Sequence, residues 1–182
     1  MELELVTRAG AFAGNAHRGQ MRKEGSEPYI NHPLRVAHAC VLAGLPAEAV
    51  AAALLHDVVE DTPVGQEAID AAFPARVAEL VRLLTKWWPD DAPAEAKGQG
   101  KPVYYGAIAA DLEALAVKLL DRADNLMSMV HMLPRRSDWA RRYLKKTAAE
   151  IGPLAEACAN GYACERFADA LARLEATLAA LG

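Results

Sequence analysis

The chain has 182 residues, a net charge of −4 and an isoelectric point near 5.7. That length suits one domain, and the mild acidity has the wrong sign for a nucleic-acid module, which carries a basic stripe. Alanine fills 39 positions while aromatics make up only 6%, a balance that favours an all-α fold and all but excludes a β-sandwich or barrel. Cys40, Cys158 and Cys164 are odd in number and lack a CxxC spacing, which reads as reduced thiols in a cytoplasmic protein. The opening MELELVTRAG has no apolar run, and no stretch approaches the roughly 20 apolar residues that span a bilayer. A soluble chain with no membrane partner is the expectation.

In chain order, Leu3, Leu5, Val6, Ala9, Phe12, Ala13 and Ala16 form the apolar stripe of an opening helix. Gly19, Gly25, Pro28 and Pro33 then mark an irregular stretch. A second helix starts near His32 and ends near Gly44, and a third runs from Pro46 to Asp61. Thr62-Pro63 signals the start of a short amphipathic segment through Phe73, and ARVAELVRLLTK forms another helix after Pro74. Residues 87–102, with three prolines and two glycines, read as a long loop. The helical pattern resumes from Val103 to Val130, and two more helices, about 137–159 and 161–181, follow. With no repeat and no linker, one all-α domain over 1–182 is the economical reading. Trp87 and Trp88 are expected to be partly buried, and His17 and His38 to be structural.

The helix ending at Asp61 carries the main chemical anomaly. Val50 to Leu55 is apolar on every face, so this element belongs in the middle of the core. Yet His56, Asp57, Glu60 and Asp61 crowd its last turn and a half, at helical spacings of four. A buried carboxylate without a partner costs several kcal/mol, so such groups are paired or bind a cation. No Lys or Arg occurs from Pro46 to Ala75, so the countercharge comes from elsewhere in the fold or from a metal. A solvated helix end is the plainer alternative, but four such residues in six positions favour the functional one. Asp121 follows Val117, Leu119 and Leu120, with Asn125 one turn on. Asp121 pairing with Lys118 or Arg122 stays open at this point. His32 is a third candidate, and imidazole with carboxylate suits Mn, Fe or Zn.

These residues resemble the HD superfamily of metal-dependent phosphohydrolases through His32, the His56-Asp57 pair and a distant Asp121. GQMRKEGSEPYINHPLRVA (19–37), AALLHDVVEDT (52–62), Leu-Thr-Lys (84–86) and KLLDRADNL (118–126) are similar to the hydrolase domain of RelA/SpoT-type alarmone enzymes. A chain of this length resembles a stand-alone small alarmone hydrolase, such as the metazoan SpoT homologue. The resemblance implies a single HD-domain helical bundle that hydrolyses the 3′-pyrophosphate of (p)ppGpp to GDP or GTP and pyrophosphate, with one Mn²⁺ or another transition metal. It implies His32, His56, Asp57 and Asp121 as metal ligands, and Glu60 and Asp61 as the acidic pair that handles the attacking water. It further implies Arg22, Lys23, Asn125 and Ser128 as nucleotide contacts. Leu120 stands where the family usually has Ala, and Met127 where Arg is common, which removes a phosphate or structural contact. Lys97 and Lys101 read as solvated loop lysines. An adenine alarmone, a nucleotide with a 2′- or 3′-phosphate such as NADPH, a 5′-nucleotidase substrate, and a non-catalytic alarmone-binding module are the rival readings. The oligomeric state is not legible.

Overall fold

A computed structural model describes residues 2–22, 27–88, 91–133 and 135–181. Among these residues the secondary structure is ten helices. They are α1 (Glu2–Ala16), α2 (Asn31–Leu42), α3 (Ala47–Leu55), α4 (Val58–Asp61) and α5 (Gln66–Ala72). Then come α6 (Ala75–Leu84), α7 (Ala94–Ala109), α8 (Leu112–Val130), α9 (Ser137–Glu156) and α10 (Gly161–Ala179). The all-α expectation holds. One isolated antiparallel bridge, Met21 to Pro28, pins the approach to α2. No helix among the described residues is long and apolar enough to cross a membrane.

The core is built around α3 and α8. Every residue of α3 from Ala49 to Leu55 is buried, as its all-round apolar sequence requires. Its neighbours are α1, α2, α6 and α8, while α8 also carries α10, α9 and α7. Pro46, Pro74 and Pro93 stand immediately before α3, α6 and α7. A missing N–H costs nothing at a helix start, where it would lack an intrahelical partner anyway. Gly44, at φ +69, turns the chain out of α2 in a conformation that disfavours a side chain. Asp111 caps α8 by accepting from Glu113 N and Ala114 N at 3.1 and 3.0 Å.

Four boundaries differ from the sequence reading. The stretch read as a loop over 87–102 is helical from Ala94 onward, despite Gly98, Gly100 and Pro102. Gly100 is there because a Cβ would lie 2.8 Å from Trp88 Cε3, so the glycine lets α7 close onto the Trp pair. The helix continuous from Pro46 to Asp61 breaks at His56-Asp57, giving α3 and α4. The pattern from Val103 to Val130 is two helices, parted at Ala110-Asp111 where Asp111 caps the second. Thr62 starts no helix; its hydroxyl donates to Val58 O at 2.7 Å, and α5 begins after Gly65. Trp88 is buried, whereas Trp87 is 65% exposed.

Candidate functional site

Three elements bring the anomalous residues together. The first turn of α2 supplies His32, the α3–α4 break supplies His56 and Asp57, and the middle of α8 supplies Asp121. His56 and Asp57 are adjacent there, and both keep right-handed backbone angles. His32 Nε2 lies 3.2 Å from Asp121 Oδ1 and 3.6 Å from Asp57 Oδ2. His56 Nε2 lies 3.3 Å from Asp57 Oδ1 and 3.8 Å from Asp121 Oδ1. One ligand atom each from His32, His56 and Asp57 falls within 4.8 Å of the others, close enough to share one ion.

The far side of each imidazole fixes its chemistry. His56 Nδ1 sits 2.7 Å from Ala53 O, an acceptor only, so Nδ1 carries the proton and the neutral ring keeps its lone pair on Nε2. His32 Nδ1 sits 2.7 Å from Asp124 Oδ2, with the same consequence. Both Nε2 atoms are buried and lack a hydrogen-bond partner. Two orphaned nitrogens converging between two carboxylates fit a divalent cation.

Electrostatics agree with that donor set. Burial alone would depress the histidines, but Asp57 and Asp121 outweigh it and place His56 at about 9. His32 is likewise raised against its burial by Asp121, Asp124 and Asp57. Burial pushes Asp57 up, yet His56 and His32 pull it below the ordinary carboxylate value. Asp121 is also held well below it against burial, by Lys118 first and then by the two histidines. Lys118 Nζ stands 2.9 Å from Asp121 Oδ2. The ion pair that competed with the metal role in the sequence is therefore present, on the oxygen that does not face the imidazoles.

The acidic pair is separately tethered. Glu60 is gripped by Lys86, whose Nζ is 2.6 Å from Oε1 and whose backbone N–H donates to Oε2 at 3.1 Å. The Tyr29 hydroxyl lies between Asp57 Oδ2, at 2.7 Å, and the Asp61 carboxylate. Arg22 donates to Asn125 Oδ1 at 2.9 Å, and Asn125 donates to Asp121 Oδ1 at 2.6 Å. Arg22 also lies over the Tyr29 ring. These groups open onto a cavity of about 460 Å³ that Ser128 also lines. Lys23 falls outside the described residues.

Several lining residues carry no signal in the sequence reading. Tyr29 and Arg122 stand in the motif segments, but nothing in their spacing marks them as cavity residues. The same is true of Asp124, which holds His32 Nδ1 and is not part of that lining. Tyr143, Lys146 and Glu150 reach the cavity from α9, where they read as an ordinary charged face. Lys97 and Lys101, read as solvated, line the same wall, and Lys101 pairs with Glu150 at 2.7 Å. His17 is structural as expected, stacked on Tyr29 at 4.7 Å, whereas His38 is exposed.

Residues 9–151 match the HD domain, so the chain belongs to the HD-domain family. Within it, a Vibrio cholerae guanosine-3′,5′-bis(diphosphate) 3′-pyrophosphohydrolase is 37% identical over 158 residues, covering 85% of this chain and 22% of the relative. The bifunctional (p)ppGpp synthase/hydrolase SpoT of Escherichia coli K12 is 37% identical over 160 residues, with the same coverage. A probable GTP pyrophosphokinase of Mycobacterium leprae is 35% identical, over 84% of this chain and 19% of its own. The chain thus spans about a fifth of the length of the curated relatives it matches. Among solved structures, a metazoan ortholog of SpoT that hydrolyses ppGpp shares the fold with a TM-score of 0.67 at 23% identity, over 93% of this chain and 94% of that one. The Listeria monocytogenes protein lmo0812 superposes with a TM-score of 0.57 at 27% identity, over 79% and 97% of the two chains.

Proposed function

We propose that this chain is a metal-dependent pyrophosphohydrolase that removes the 3′-pyrophosphate of (p)ppGpp, releasing GDP or GTP. His32, His56, Asp57 and Asp121 hold the metal in this reading, with Mn²⁺ the preferred ion, and residues 1–182 act as one cytoplasmic HD domain. The observation that carries it is the pair of buried Nε2 atoms without hydrogen-bond partners between Asp57 and Asp121, beside a cavity lined by His32, both carboxylates and several lysines and arginines. The names of the curated relatives point to the same substrate.

A divalent ion at these residues supplies an acidified water and polarises a phosphoryl oxygen. Glu60, one turn past His56, accepts the proton of the attacking water while Lys86 holds its carboxylate in place. Asp61 and Tyr29 fix Asp57, so the ligand carboxylate does not swing when substrate enters. Arg22, Asn125, Ser128 and Lys23 contact the nucleoside. Water adds to the phosphorus bound to the ribose 3′-oxygen, that P–O bond breaks, and the departing oxygen takes the proton held by Glu60 to leave as the 3′-hydroxyl. Cations of the cavity lining, Lys146 and Arg122 among them, offset the charge of the remaining phosphates in a protein that is acidic overall.

Anion-exchange analysis of products from purified protein, Mn²⁺ and ppGpp, beside ppApp and NADPH, tests this. GDP and pyrophosphate are expected, with release blocked by EDTA. Saturable ppGpp binding without turnover would replace the enzyme with a sensor, and turnover of another nucleotide alone would discard the named substrate.

A further inference from the structure

We propose that Lys86 is a positioning residue of this site, its ammonium and its backbone N–H together holding the Glu60 carboxylate where it meets the attacking water. The inference rests on the hydrolase reading above and concerns how its base is oriented.

Glu60 belongs to a helix of four residues, too short to restrain a long side chain by itself. Its two oxygens are taken at two different points of one residue, Oε1 by Nζ at 2.6 Å and Oε2 by the backbone N–H at 3.1 Å. A surface ion pair has one flexible attachment; this one defines the plane of the carboxylate. Holding both ends costs rotamer entropy, which only a fixed anchor justifies.

The anchor is fixed. Lys86 follows Thr85, whose N–H and hydroxyl both donate to Val81 O, at 3.0 and 2.8 Å. One residue further back, Leu84 O accepts the Tyr104 hydroxyl at 2.6 Å. Beyond it, buried Trp88 packs edge-on against Tyr104, with centroids 5.5 Å apart. The turn after α6 is thereby tied to α7 on both sides of Lys86. Glu60 and Lys86 both line the cavity.

The charge balance supports the same role. Burial raises Glu60 above its ordinary value, Lys86 pulls it back, and Asp57 opposes that pull. Tyr104, facing from α7, is neutral because burial raises it. Without the ammonium, Glu60 would keep a proton to higher pH and be less able to accept one.

The test is steady-state hydrolysis of ppGpp with Mn²⁺ by wild type, Lys86→Met, Lys86→Arg, Glu60→Gln and the Lys86→Met/Glu60→Gln double variant, with bound metal measured for each. Loss of an oriented base should cut kcat about 30-fold or more in Lys86→Met. KM should stay within about threefold and metal content should not change. Lys86→Arg should recover most of kcat, because it keeps the charge and the backbone donor. In the Glu60→Gln background, Lys86→Met should cost less than about threefold further, since residues acting as a unit are not additive. A raised KM at unchanged kcat would make Lys86 a substrate contact and overturn the proposal, as would multiplicative losses in the double variant. An active wild type matched by Lys86→Met sinks the Lys86 role alone. A wild type that turns over no ppGpp sinks the hydrolase reading and this role with it.

Discussion

Asp124 Oδ2 stands 2.7 Å from Nδ1 of His32, and Arg35 Nε grips the other oxygen of the same carboxylate at 2.7 Å. Arg35 is forked in turn onto Glu27, with both bonds at 2.9 Å. A chain of alternating charge therefore runs from the surface to the imidazole. Burial raises Asp124, but His32 and Arg35 outweigh it and keep the group ionised. An ionised acceptor on Nδ1 fixes the His32 tautomer and makes Nε2 a better donor to a metal.

Asp124→Asn keeps the shape and removes the charge. Divalent-ion affinity is expected to fall about 10- to 100-fold, the range for such outer partners of a ligating histidine. Isothermal titration with Mn²⁺ reads it directly, without substrate. Unchanged affinity would show that packing alone orients His32.

The histidines also set how the metal-free protein responds to pH. His56 rises on folding from 6.5 to about 9, because Asp57 and Asp121 outweigh its burial, and His32 rises in the same direction. A group with a raised folded pKa stabilises fully below its unfolded value and loses that contribution as pH climbs through the folded one. Asp57 and Asp121, lowered from 3.8, do the reverse and lose theirs as pH falls below that value. In EDTA, Tm should therefore drop between pH 6.5 and about 9. A bound ion must displace the Nε2 protons, so Mn²⁺ affinity should climb over the same window. Melting curves with EDTA and with Mn²⁺ should diverge as pH rises; parallel curves would remove these imidazoles from the metal site.

Lys118 is 7% exposed and its ammonium is 2.9 Å from Asp121. Removing one partner of a buried pair strands the other charge, which costs about 3–5 kcal/mol. Lys118→Met should lose about that much by urea denaturation in EDTA. Mn²⁺ should recover part of it, since the ion supplies positive charge on the opposite oxygen. A loss under about 1 kcal/mol would mean the pair behaves as a solvated one.

How far the site was legible depended on whether a residue broke its own local pattern. His56, Asp57, Glu60 and Asp61 stood out because charge interrupts an apolar helix that had to be buried. Asp124 broke nothing, for an Asp three places after another on a helix reads as solvent-facing. Tyr143, Lys146 and Glu150 were invisible for the same reason: only the packing of α9 against α8 brings them to the cavity. The break at His56-Asp57 left no mark either, because both residues keep right-handed φ and ψ. Long helices with clear stripes, such as α1, α6 and α10, were legible to within a few residues.

Gly100 shows why residues 94–102 misled. Glycine in a helix interior costs about 1 kcal/mol relative to Ala, so GQGKP reads as loop. Inside α7 the glycine is a packing device: a Cβ there would meet Trp88 Cε3 at 2.8 Å and Trp87 Cζ2 at 2.9 Å. Trp88 cannot yield easily, being buried against Tyr104, whose hydroxyl is bound to Leu84 O. Overpacking costs about 1–3 kcal/mol, which outweighs the propensity gain. Gly100→Ala should therefore destabilise the protein, whereas Gly98→Ala, with nothing within 4 Å of its Cβ, should stabilise it. Paired denaturation curves decide: if both variants gain stability, α7 does not rest on the Trp pair. Because Trp88 adjoins the turn that carries Lys86, Gly100→Ala should also lower kcat more than Gly98→Ala does.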